Sequence, residues 1–113
     1  MFLINGWGDV QPSKVKSATS ANYIHSLDAA IVHLSILDTP AEVPVFTVHD
    51  CWAMVPGTIS QVIPHARKAF LNVVTSNPLE GLLEENELDG QIQIPEQGDA
   101  PIEDCLNSPY MYS

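Results

Sequence analysis

The run "VFTVHDCWAMV", residues 45–55, limits what this chain can fold into more than any other stretch, because β-formers flank a His-Asp dipeptide on both sides. Val, Thr, Phe and Trp suit a pleated, half-buried surface. A carboxylate buried among them without a partner is strongly destabilising. Two arrangements remain open. Either one continuous strand carries Asp50 into a compensated site, or the chain folds tightly at His49-Asp50 and leaves the carboxylate at an exposed hairpin tip.

Helical patterns lie on either side of this run. Ile24, Leu27, Ile31 and Leu34 recur at helical spacing after the lead "SKVKSATSANY", with Ser20 or Asn22 available as a cap. This spacing predicts a helix from about Asn22 to Leu37, ended by "DTPAEVP". Beyond the strand run, Thr58 and Gln61 have capping-box spacing, and Val62, Ala66, Phe70 and Val73 continue one apolar stripe. Pro64 interrupts that register, so the second helix is expected to start later or to kink there. A short helix near Leu79–Glu85 and a strand "QIQI" complete the reading, with no internal repeat. These patterns give an α+β fold class, with the strand and hairpin readings of residues 45–55 both open.

Length and charge narrow the function. A chain of 113 residues, 45% hydrophobic, suits one domain-sized unit with a modest core. Nothing approaches the roughly 20 apolar residues that span a bilayer, so no membrane role is expected, and "MFLINGWGDVQPSK" lacks the pattern of a secretory signal. With 4 Lys+Arg against 14 Asp+Glu, the net charge of -10 gives little counterion-release driving force. Nucleic acid binding would therefore need positive charge from metal ions or from another polypeptide. Much of the acidity falls between Glu80 and Asp104, which reads as a solvated surface or partly mobile loop.

Generic catalytic patterns give little. The four histidines, at 25, 33, 49 and 65, contain no HxxxH pair, and His33 and His65 read as surface or filler residues. Cys51 and Cys105 form no CxxC motif and read as structural thiols. There is no GxSxG motif and no phosphate-cradling glycine loop.

Three segments taken together are more specific: "ANYIHSLDAA" (21–30), "VFTVHDCW" (45–52) and "LNSPYMYS" (106–113). In this order and spacing they resemble the C-terminal part of single-subunit DNA-directed RNA polymerases, the family of the bacteriophage, mitochondrial and mitochondrial-plasmid enzymes. The resemblance covers residues 14–113 and leaves 1–13 as an unassigned lead. It implies a segment of a right-hand polymerase palm in which two main helices flank a small antiparallel β-hairpin. The aromatic ending looks like that family's C-terminal tail, which implies that Ser113 is a natural terminus. "NYIHSLD" and the tail look closest to organellar and plasmid members, which implies a mitochondrial location.

The same resemblance implies roles for particular residues. Asp50 would be a catalytic metal ligand, one of two aspartates holding Mg²⁺ for template-directed nucleotidyl transfer, and His49 beside it would help position the RNA 3′ end. In such a reaction one ion activates the 3′-hydroxyl and the other steadies the pyrophosphate leaving group. His25 would contact the nascent base pair or the incoming ribose, with Asp28 one turn along orienting it. Asn22 is either a helix cap or a substrate contact. The implied partners are a DNA template, nascent RNA and nucleoside triphosphates.

Two parts of the family pattern are missing: an upstream metal aspartate, and a helix whose lysine and tyrosine grip and select the nucleotide. Lys14 and Lys16 in "SKVKS" do not supply that helix. The chain is therefore expected to be inactive alone and to need an upstream polymerase portion as a partner. The alternative from a different class is a non-catalytic acidic fragment, acting as a binding module or surviving as a relic reading frame.

Overall fold

The computed structural model describes residues 11–112. Its first helix, α1, spans Pro12–Asp38 and begins ten residues before the expected start at Asn22. Pro12 at the first helical position has a backbone already set for the turn, and Lys14 and Val15 donate their N–H groups to the Gln11 carbonyl. The Ser/Thr-rich lead is accommodated because its hydroxyls bond back along the helix: Ser17 Oγ donates to the Ser13 carbonyl at 3.2 Å and Thr19 Oγ1 to that of Val15 at 2.8 Å. Ser20 and Asn22 therefore lie inside the helix and cap nothing. The helix ends where Thr39 caps the Ser35 and Ile36 carbonyls and Pro40 forbids continuation.

The β-run is a hairpin. Strands β1 (Val45–Val48) and β2 (Cys51–Met54) pair antiparallel with Val48 opposite Cys51, so His49 and Asp50 form a two-residue turn. Alternation gives the sheet two faces. Val45, Thr47, Trp52 and Met54 are half-buried, whereas Phe46, Val48, Cys51 and Ala53 are exposed.

A 3₁₀ turn, Pro56–Thr58, leads into α2 (Ile59–Thr75). Thr58 Oγ1 donates to the Val55 carbonyl at 2.8 Å and makes no bond to the helix, so the expected capping box does not form. The preceding turn holds Thr58 at φ -107, ψ -3, which directs its hydroxyl backwards. Pro64 lies inside the helix. Its missing N–H leaves the Ser60 carbonyl without a helical donor, and exposure of Ser60 lets water satisfy it. The helix α3 spans Pro78–Glu85. No strand forms at "QIQI": among the described residues the sheet is two-stranded, and residues 91–94 have no neighbouring strand to pair with. The Glu80–Asp104 segment is largely exposed, with Leu83 buried, and a second 3₁₀ turn, Ile102–Leu106, follows.

The core lies between α1 and α2. Ile31, Ala69 and Val73 are buried together, with Leu27, Ala30, Trp52 and Phe70 packed around them. The predicted stripe on α2 is therefore correct and gains Ala69. On α1 the buried face is rotated from the predicted one: Val32 and Ser35 are buried, while Ile24 and Leu34 are exposed. That face packs against α2, and the Trp52 indole Nε1 ties it to the hairpin by donating to Ser35 Oγ at 2.9 Å. Asp38 at the end of α1 accepts bonds from His65 Nδ1 at 2.9 Å and Lys68 Nζ at 3.0 Å on α2. His65 thus hydrogen-bonds from α2 to the carboxylate that ends α1, whereas His33 is exposed as expected.

Candidate functional site

The turn between β1 and β2 projects its side chains because its backbone is held in an unusual shape. His49 has φ 55, the left-handed region that non-glycine residues enter at a cost of roughly 1–2 kcal/mol. Histidine is among the residues enriched there. Two-residue closure and anchoring of Trp52, two positions on, hold the tip in place against α1.

The result is a cleft of about 470 Å³ lined by His25, Asp28 and Ala29 of α1 and by His49 and Asp50 of the tip. Four of the five site residues expected from sequence meet there, although the two segments are more than twenty positions apart. The fifth, Asn22, is exposed one turn before His25 and does not line the cleft. Among the described residues no hydrogen bond joins His25 to Asp28, so Asp28 does not fix the imidazole by direct contact. Asp50 is exposed, and its Oδ1 accepts a weak bond from Cys51 Sγ at 3.6 Å. The Cys51 thiol is exposed too and has no packing role.

Asp28 and Asp50 also border a smaller adjoining cavity of about 260 Å³, walled by Ile31, Val32, Trp52, Phe70 and Tyr112. Tyr112 brings the tail to the site, a contact that sequence reasoning missed. Its ring meets Trp52 edge-on, with centroids 5.3 Å apart at 75°. Arg67 holds the approach, donating from its two terminal nitrogens to the Leu106 carbonyl at 3.1 Å and the Ser108 carbonyl at 2.6 Å. Burial pushes the Tyr112 phenol above its usual value, and the Cys105 and Asp28 charges add to the effect. The aromatic ending was a visible signal, but its docking depends on backbone carbonyls that carry no sequence signature.

Magnesium binds hard oxygen ligands in near-octahedral geometry. Among the described residues no group of three or more His, Cys, Asp or Glu is placed to share an ion. The described residues therefore do not supply a full magnesium donor set by themselves. No helix among the described residues is long and apolar enough to cross a membrane.

The profile of the DNA-dependent RNA polymerase family matches residues 4–91, a span that includes α1, the hairpin, α2 and α3. The chain belongs to this family. A probable DNA-directed RNA polymerase of Agaricus bitorquis is 37% identical to it over 59 residues, which is 51% of this chain and 5% of that protein. This polymerase family member thus spans a small fraction of the relative it matches. No solved structure matches the chain. Membership agrees with the resemblance carried by "NYIHSLD" and "VFTVHDCW", and the single-subunit phage and mitochondrial type is the branch concerned.

Proposed function

We propose that this chain is the C-terminal palm segment of a single-subunit RNA polymerase and that Asp50 contributes one carboxylate to a divalent-cation site completed by another part of the enzyme. The observation that carries this reading is the shared cleft: a strained, projecting turn sets His49 and Asp50 opposite His25 and Asp28 in a member of the polymerase family. A role in catalysis explains why a carboxylate sits at the end of two apolar strands and why a non-glycine residue tolerates left-handed backbone beside it.

In this reading His25 faces the nascent pair or incoming ribonucleotide, Asp28 adds negative charge to the same wall, and His49 helps place the RNA 3′ end. The isolated chain does not synthesise RNA. Its described residues hold no cluster of three metal-ligating side chains, and its charge of -10 opposes template binding. The upstream portion supplies the nucleotide grip and the basic surface for DNA and RNA. A mitochondrial location goes with the organellar character of the "NYIHSLD" segment.

Size and activity of the native product test the proposal together. An antibody against "NSPYMYS" is expected to recover a species much larger than 12.3 kDa, or a complex containing this chain, that extends an RNA primer on a DNA template. Recovery of the chain alone, with incorporation in no fraction, favours the non-catalytic fragment and contradicts the reading.

A further inference from the structure

The outer face of the hairpin is apolar and uncovered. Phe46 lies opposite Ala53 and Val48 opposite Cys51, so these four share one side of the sheet with no charge among them. Phe46 is 66% and Val48 51% exposed, values unusual for such residues on a strand face.

The rest of the surface indicates the size of what covers it. A compact monomer of 12.3 kDa exposes about 6,100 Å², whereas this chain exposes 9220 Å². Its radius of gyration is 18.1 Å, against about 13 Å for a compact domain of this length. The excess of about 3,000 Å² is well above the roughly 800 Å² that each partner contributes to a standard interface. It is also distributed, since Ile24 and Leu37 on α1 are 55% and 82% exposed. A second copy meeting the hairpin through one patch leaves those residues uncovered and brings two bodies of charge -10 together. A larger, basic body satisfies both the area and the charge.

We propose that Phe46, Val48, Cys51 and Ala53 form the docking surface for the remainder of the polymerase, a polypeptide body carrying a complementary apolar patch within a basic surface. The inference rests on the function proposed above and specifies which face of this segment joins the rest of the enzyme. The hairpin then has two assignments: its tip faces the cleft and its outer side packs inward.

The test uses the two native thiols as reporters. Cys51 lies on the proposed surface and is exposed, while Cys105 lies off it and serves as the internal reference. The probe is the Agaricus bitorquis polypeptide ending just before its matched segment, added to the full chain while maleimide labelling of each thiol is followed. At a probe concentration about ten times Kd, Cys51 labelling is expected to slow about tenfold relative to Cys105. Phe46→Glu and Val48→Glu, checked for retained helix content by circular dichroism, are expected to abolish that protection. Failure of the probe to bind, binding with Cys51 unprotected, or protection that survives both substitutions overturns the proposal. Concentration-dependent protection of Cys51 in the chain alone also overturns it, in favour of a second copy. Nucleotide incorporation is scored separately in the same mixture: protection without incorporation removes the catalytic reading and leaves the docking face, and incorporation without protection does the reverse.

Discussion

The Trp52 indole donates to the Ser35 hydroxyl at 2.9 Å, and that hydroxyl donates onward to the Val32 carbonyl at 2.7 Å, joining the hairpin to α1 by a short buried chain of hydrogen bonds. Ser35 is fully buried, so the bond is shielded from water. It sets the distance between the His49-Asp50 tip and the His25-Asp28 wall.

Ser35→Ala leaves the indole N–H without its partner. A loss of about 1–2 kcal/mol in unfolding free energy is expected from urea denaturation. Unchanged stability would mean that the hairpin is held by apolar packing alone.

His49→Gly relieves the left-handed backbone at the tip. Allowing for the larger entropy of glycine in the unfolded chain, the variant is expected to gain up to about 1 kcal/mol while its cleft loses an imidazole. A thermal melt checks this, and a lowered midpoint contradicts the strain argument.

The Asp38 carboxyl is held below its usual value of 3.8, first by the His65 hydrogen bond and then by that of Lys68. A lowered carboxylate value means that the unfolded chain takes up the proton first as acid is added. This contribution is complete above the unfolded value, and falls away as pH drops through the lower folded one. Asp38→Asn is therefore expected to reduce the steepness of acid unfolding below about pH 4, and to leave the slope near neutrality unchanged. Identical acid curves count against the helix-to-helix ion pair.

Arg67→Ala frees the Leu106 and Ser108 carbonyls and with them the tail. The Tyr112 phenol is then expected to fall back toward 10.0 as it regains water, which ultraviolet titration in a background carrying both Tyr23→Phe and Tyr110→Phe can follow. Arg67→Lys is expected to resemble the alanine variant, because one ammonium cannot reproduce the two-pronged contact. A Tyr112 titration unmoved by both changes shows that the tail docks through Trp52 alone.

Local patterns with strong periodicity were legible in the sequence. The stripe of Val62, Ala66 and Val73 was one, and the strand residues around His49-Asp50 were another, although only the structure decided between strand and hairpin. Joint reading of "NYIHSLD" with the His-Asp pair anticipated a shared site, and the cleft brings four of those residues together. What failed depended on contacts distant in sequence. Packing on α2 and the Trp52-Ser35 bond select the buried face of α1, Pro12 started that helix early, and "QIQI" found no strand to join. The Arg67 and Tyr112 contacts were illegible because a side chain that binds backbone carbonyls leaves no complementary residue to find.

Asp50→Asn in an otherwise complete enzyme is the most direct measurement. The upstream polymerase portion is combined with this chain, wild type or Asp50→Asn, and primer extension is measured on a DNA template. The wild-type mixture should incorporate ribonucleotides, and the Asn variant should lose at least about a hundredfold in rate while assembling equally well. Equal incorporation by the two chains, with assembly intact in both, would show that Asp50 plays no part in catalysis.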